Sequence, residues 1–194
     1  MKLHYTPKSH FARKNRILID ALGLSVELVD VGNVATHNPD LFAGNPLMKV
    51  PTLITDNGQA IFESDHIADY LVRQHDCKDR FQVLTNDTDM LNARAVMNGV
   101  MTAEVELVMA DRTGIDANKY QRYDKFRLTV DQGMQWLENH ATLFAAEPNY
   151  TGFHLVSLWD HLVLYQMFDL PYPHLQAHVE RLSEIKFVNK SAPF

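Results

Sequence analysis

The sequence predicts an α/β first half with a mixed sheet and an all-helical second half, and three observations carry that prediction. Up to about residue 76, short β-like runs alternate with amphipathic helical runs. Two of the strand-like runs are joined by Asp56-Asn57-Gly58, a strong hairpin turn signal. From about residue 87 the strand signals stop and helical periodicity takes over.

Taken in order, "KLHYT" reads as the first strand. "HFARKNRILIDALGL" follows as a helix, with Phe11, Ile17, Ala21 and Leu22 near helical spacing and Gly23 placed to stop it. The run "SVELVDV" is a second strand, and a β-α-β crossover of this length requires a parallel pair. A polar connector, "GNVATHNPDLFAGNP", leads to the antiparallel strands "PTLIT" and "QAIF". A helix over "SDHIADYLVRQH" then carries the apolar stripe Ile67, Ala68, Leu71 and Val72, with Ser64 as its expected N-cap and Asp65 in the first turn.

In the second half, one long helical pattern runs over "DTDMLNARAVMNGVMTAEVELVMADR" and ends near Gly114, and another carries Tyr123, Val130, Met134 and Leu137. After the loop "AAEPNYTGF", a third helix is expected to open at "SLWD", where Ser157 and Asp160 have capping-box spacing. A last helix begins after Pro173. The domain reading is 1–76, a linker over 77–87, and a helical domain over 88–194.

A chain of 194 residues, 46% of them hydrophobic, can bury a real core. Its formal net charge of -6 leaves no basic excess to neutralise phosphates, so nucleic acid and anionic membrane surfaces are excluded as main partners. The single cysteine, Cys77, allows no internal disulfide and no cysteine metal cage. The first residues lack the apolar core of a signal peptide, and the run "ILIDALGL" is broken by Asp20, so a cytoplasmic protein without a membrane span is expected.

Three short stretches can carry chemistry. Pro51 follows the β-branched Val50 at the start of a strand; in the cis form it would leave the Val50 N–H and C=O facing outward, free to pair with a bound peptide. A trans proline opening an edge strand is the alternative. At "FES" a strand ends as a helix begins, so a ligand carboxylate would fit the N–H and hydroxyl of Ser64 while Glu63 held an ammonium; taken locally, the sequence favours an ordinary cap beside a solvated glutamate. Ser9, in "YTPKSHFARK", stands at another helix start, as a cap or as a reacting group.

The order strand, Ser9 at a helix start, strand, Val50-Pro51, hairpin, Glu63-Ser64 and helix resembles the glutathione transferase family. With "SLWD" and "YPHLQAHVERLSEIKF", the likeness covers nearly the whole chain. It implies a thioredoxin-like N-terminal domain with a mixed four-stranded sheet, and an all-α helical-bundle C-terminal domain. It implies that Ser9 meets the glutathione sulfur, that Val50 before a cis Pro51 pairs with the cysteinyl backbone, and that Glu63 and Ser64 bind the γ-glutamyl end. His37 is expected near the glycine end. The family pattern often has proline where this chain has His10, which reads as an exposed imidazole on the first helical turn, with a second polar group near the sulfur as the alternative.

What the resemblance implies is a cytoplasmic, bacterial-type homodimer that detoxifies a small electrophile, with glutathione as co-substrate and no metal. A glutathione-dependent disulfide reductase or peroxidase is the rival enzyme, and a non-enzymatic partner-binding protein the rival class. Met97, Met101, Val105 and Met109 share helical spacing and suit either a pliable pocket or a helix core. His174 and His178 form an i, i+4 pair without a third ligand in register, and no P-loop, HExxH or G-x-S-x-G motif occurs.

Overall fold

The computed structural model describes residues 1–36 and 38–193. A four-stranded sheet of order β2-β1-β3-β4 is built from β1 (Lys2–Tyr5), β2 (Glu27–Asp30), β3 (Thr52–Ile54) and β4 (Ala60–Phe62). Strand β1 pairs parallel with β2 and antiparallel with β3, and β3 pairs antiparallel with β4, so the mixed sheet is as the sequence implies.

Helix α1 (His10–Leu22) makes the crossover and α2 (Ser64–His75) follows β4. Gly23 ends α1 in the left-handed region at φ 70°, and its N–H bonds back to Asp20 at 3.1 Å. In the β3–β4 turn only Gly58 takes a positive φ, 82°; Asn57 does not, and the side chain of Thr55 closes the loop on Gln59 at 3.0 Å.

The helical region comprises α3 (Thr88–Arg112), α4 (Gln121–Asn139), α5 (Tyr150–Tyr165), α6 (Pro173–Ser183) and the short α7 (Lys186–Asn189). Among the described residues, no helix is long and apolar enough to cross a membrane. The thioredoxin-like first half and the all-helical second half share one apolar core, running from Leu3, Leu53, Ile17 and Ile67 to Met97, Met101, Phe153 and Leu158.

Two helix starts differ from the sequence expectation. Helix α5 begins at Tyr150, and Asn149 caps it by accepting the Gly152 N–H at 2.9 Å. Ser157 and Asp160 therefore lie inside α5 and form no capping box. The buried Ser157 hydroxyl bonds back to the Phe153 carbonyl at 2.7 Å, while Asp160 pairs with Arg13 of α1 at 2.6 Å. Their spacing imitates a cap, but burial of Tyr150 and Phe153 in the core winds the helix back beyond them. In α2 the cap position is Glu63, and Ser64 is the first helical residue.

Helix α1 is buried on more than one face, because α5 and α2 pack against it and its Ile17 and Leu18 share the core with Leu3 and Leu53 of the sheet. The apolar stripe read from sequence marks the sheet side only in part: Ile17 is fully buried, as are Ala12 and Leu18, whereas Phe11, Ala21 and Leu22 are half-buried. His10, expected to be exposed, is 2% exposed.

Candidate functional site

The strand register brings three distant segments to one end of the sheet. His4 of β1 sits opposite Thr52 of β3, and Thr52 opposite Phe62 of β4. Ser9 lies in the turn that leaves β1 at this end, Val50 two residues before Thr52, and Glu63 immediately after Phe62. Two helix N-termini, of α1 and α2, thus flank the strand start at Val50.

Ser9 is the N-cap of α1: its oxygen accepts the Ala12 N–H at 3.2 Å, which leaves the hydroxyl hydrogen free for another acceptor. The Val50–Pro51 peptide is cis. Val50 lies just outside β3, and no described residue hydrogen-bonds its N–H or C=O. The preceding loop is held by the buried Asn45, whose amide donates to the Lys49 carbonyl at 3.0 Å and to the Thr52 hydroxyl at 3.2 Å. Asn45 also accepts the Leu47 N–H at 3.0 Å.

Glu63 has φ 66° and ψ 128°, a left-handed backbone that costs a non-glycine residue roughly 1–3 kcal/mol. Its side chain is exposed and makes no capping bond, and among the described residues no side chain accepts from the N–H groups that open α2. Ser64 is buried beneath it. His37 lies outside the described residues.

Residues 3–79 match the family model for the glutathione S-transferase N-terminal domain. Over those residues the chain is similar to the N-terminal domain of glutathione S-transferases. The uncharacterized GST-like protein YibF of Escherichia coli (strain K12) is 38% identical over 73 residues, a stretch covering 37% of this chain and 35% of that protein. A glutathione transferase family member from Pseudomonas fluorescens Pf-5, solved with bound glutathione, aligns over all of this chain and 98% of its own, at 22% identity and a TM-score of 0.85. A glutathione S-transferase from Methylobacillus flagellatus KT, also solved with glutathione, aligns over all of this chain and 99% of its own, at 24% identity and a TM-score of 0.82. The last two likenesses extend the glutathione S-transferase fold to the helical region.

Behind this end of the sheet lies a buried charged joint that sequence reasoning missed. The Lys14 ammonium, fully buried, donates to Asp65 at 2.8 Å and to Asn98 at 3.2 Å. Asp65 also accepts from the Asn98 amide at 2.7 Å and from the Tyr150 hydroxyl at 2.9 Å. Burial lowers the Lys14 pKa, the Asp65 charge restores part of it, and the balance is about 8. Burial alone would raise the Asp65 pKa, but the Lys14 charge and its hydrogen bonds outweigh it and hold the carboxyl well below the ordinary range. Alongside, burial lowers Arg13 and raises Asp160 despite their contact, so desolvation exceeds what the pair's attraction returns. The signal in the sequence was "RK" at 13–14 inside an otherwise core-facing helix; adjacent charges there require buried partners.

Proposed function

We propose that the chain is a glutathione transferase that binds glutathione at this end of the sheet and activates its thiol for attack on a small electrophile. One observation carries the reading: the Ser9 hydroxyl, the unpaired Val50 main chain and the uncapped start of α2 beside Glu63 lie together at one sheet end. In this reading Val50 pairs with the cysteinyl backbone in strand fashion. The γ-glutamyl carboxylate rests on the N–H groups opening α2, and Glu63 takes the ammonium.

The thiol lies over Ser9. A free thiol of pKa about 8.5 is only a few per cent ionised at neutral pH, and the thiolate is the nucleophile. Lowering that pKa by about two units requires roughly 2.7 kcal/mol of preference for the charged form. A hydrogen bond to a charged group supplies about 1.5–3 kcal/mol and a helix N-terminus about 0.3–1. Hydroxyl and helix α1 together meet the requirement. With serine at position 9 and histidine at 10, no thiol of the protein itself stands at the site, so any reductase or peroxidase turnover would run on the glutathione thiolate alone.

Retention on immobilised glutathione, followed by turnover of aryl halides, epoxides, hydroperoxides and small disulfides, tests the proposal. Turnover of aryl halides or epoxides is the expected result. Retention with turnover only of disulfides or hydroperoxides would move the function to reduction, and retention without turnover would make it a binding protein. The homodimer belongs to the same reading and is tested by the mass of the purified chain in solution.

A further inference from the structure

Three buried side chains from three helices meet between the sheet domain and the helical region: His10 in the first turn of α1, Glu104 in α3 and His161 in α5. One ligand atom from each lies within 4.8 Å of the other two. The three residues are 2%, 0% and 6% exposed. The His10 Nδ1, the His161 Nδ1 and both Glu104 carboxylate oxygens have no hydrogen-bond partner among the described residues. His161 Nδ1 comes within 2.8 Å of Glu104 Oε2, but off the direction an N–H would take.

The far side of His10 decides its tautomer. Its Nε2 lies 3.3 Å from the Met101 carbonyl oxygen, which can only accept, so Nε2 carries the proton and Nδ1 presents a bare lone pair. A ring nitrogen anchored to a backbone carbonyl, with the opposite nitrogen free, is the arrangement of a metal-ligating histidine. Leaving His10 Nδ1 and Glu104 Oε1 buried without a partner is otherwise costly.

We propose that His10 Nδ1, His161 Nδ1 and a Glu104 oxygen bind one divalent transition-metal cation of zinc's kind. Two imidazoles and a carboxylate are a zinc donor set with a fourth position left open, and they do not suit the all-oxygen preference of magnesium or calcium. Bonds of about 2.0–2.2 Å place neighbouring ligands of a tetrahedral ion roughly 3.4 Å apart, so His161 Nδ1 and Glu104 Oε2, now 2.8 Å apart, must open slightly while His10 closes on them from within 4.8 Å. The two rings now stack with centroids 3.8 Å apart at 34°, and coordination opens that angle. Because the ligands come from α1, α3 and α5, the ion ties the sheet domain to the helical region.

The test is calorimetric titration of the chelator-treated full chain with zinc, with thermal melting alongside. The expected result is one zinc per chain and a melting temperature that rises with zinc concentration. Affinity should fall by about tenfold or more in Glu104→Gln and in His10→Ala, and stay unchanged in His174→Ala. X-ray absorption of the zinc-loaded wild-type chain, which needs no variant to fold, should show two imidazoles and a carboxylate. No stoichiometric binding, equal affinity in Glu104→Gln and His10→Ala, loss in His174→Ala alone, or a shell without two imidazoles would overturn the assignment.

Discussion

Helices α2 and α6 both begin where an extended segment ends, and the chain treats the two starts differently. At α6 the carboxylate of Glu138, reaching across from α4, accepts the His174 and Leu175 N–H groups at 3.0 Å each. At α2 no side chain among the described residues accepts: Glu63 is exposed, and Asp65, in the first turn, is turned to Lys14, Asn98 and Tyr150. The first N–H groups of any helix need acceptors, and its dipole favours an anion there. A start filled by the chain's own carboxylate is structural. Under the proposed function, the start left unfilled, with Asp65 held by a buried lysine, receives the carboxylate of the ligand.

The largest effect comes from breaking what holds Asp65 back. Asp65→Ala strips the fully buried Lys14 of its counter-charge and is expected to cost about 3 kcal/mol in urea unfolding, because an uncompensated buried charge is the costly case. Lys14→Met should cost less, since Asp65 is partly exposed and keeps two other donors. A reversed order would show that Lys14 is not the buried charge that matters.

The same pair sets a pH dependence. Lys14 titrates near 8 in the folded chain against an ordinary 10.5, so between these values the unfolded chain binds the extra proton. The burial penalty is complete below about pH 8 and fades as pH rises to 10.5. The stability of wild type relative to Lys14→Met should therefore rise by about 2–3 kcal/mol across that window. A flat or falling difference between unfolding curves at pH 7 and pH 10 would contradict it.

Next in size is Ser9→Ala, which acts at the open end of the sheet. Losing one hydrogen bond to a thiolate should raise the bound glutathione pKa by about one to two units, read from thiolate absorbance against pH. The lost cap bond to Ala12 should cost about 1 kcal/mol of stability in the same variant. An unchanged thiol titration with binding intact would remove Ser9 from the chemistry and leave it a cap.

These contrasts also explain what the sequence could show. Gly23, Asn57-Gly58 and the strand alternation are local signals, and the sheet they specify is the one observed. Ser9, Val50-Pro51 and Glu63-Ser64 could be singled out because each sits at an element boundary, where turn and cap chemistry leaves a local mark, and the strand register brings them to one sheet end. The joint beneath them was not, because Lys14 meets Asp65, Asn98 and His154 across 51, 84 and 140 residues of chain. His10, Glu104 and His161 are hidden for the same reason, whereas the i, i+4 pair His174 and His178 is visible but engages Glu138 and Arg181. Ser157 and Asp160 show the converse: correct spacing for a cap, overruled by the burial of residues before them.

The smallest effect sharpens the comparison from the filled side. Burial alone would raise the Glu138 pKa, but the N–H groups of His174 and Leu175 outweigh it and hold the carboxyl below its ordinary range. A carboxyl with a lowered folded pKa contributes stability above its unfolded value, near 4.5, and loses it as pH falls through the folded one. Glu138→Gln should therefore cost about 1 kcal/mol at neutral pH and approach wild type in acid. Glu63→Gln, at the start where the chain supplies no cap, should leave stability within about 0.5 kcal/mol, as an exposed side chain without a structural bond predicts. If Glu63→Gln destabilised the chain as much as Glu138→Gln, Glu63 would be a cap after all, and the open start of α2 would lose its claim to an outside carboxylate.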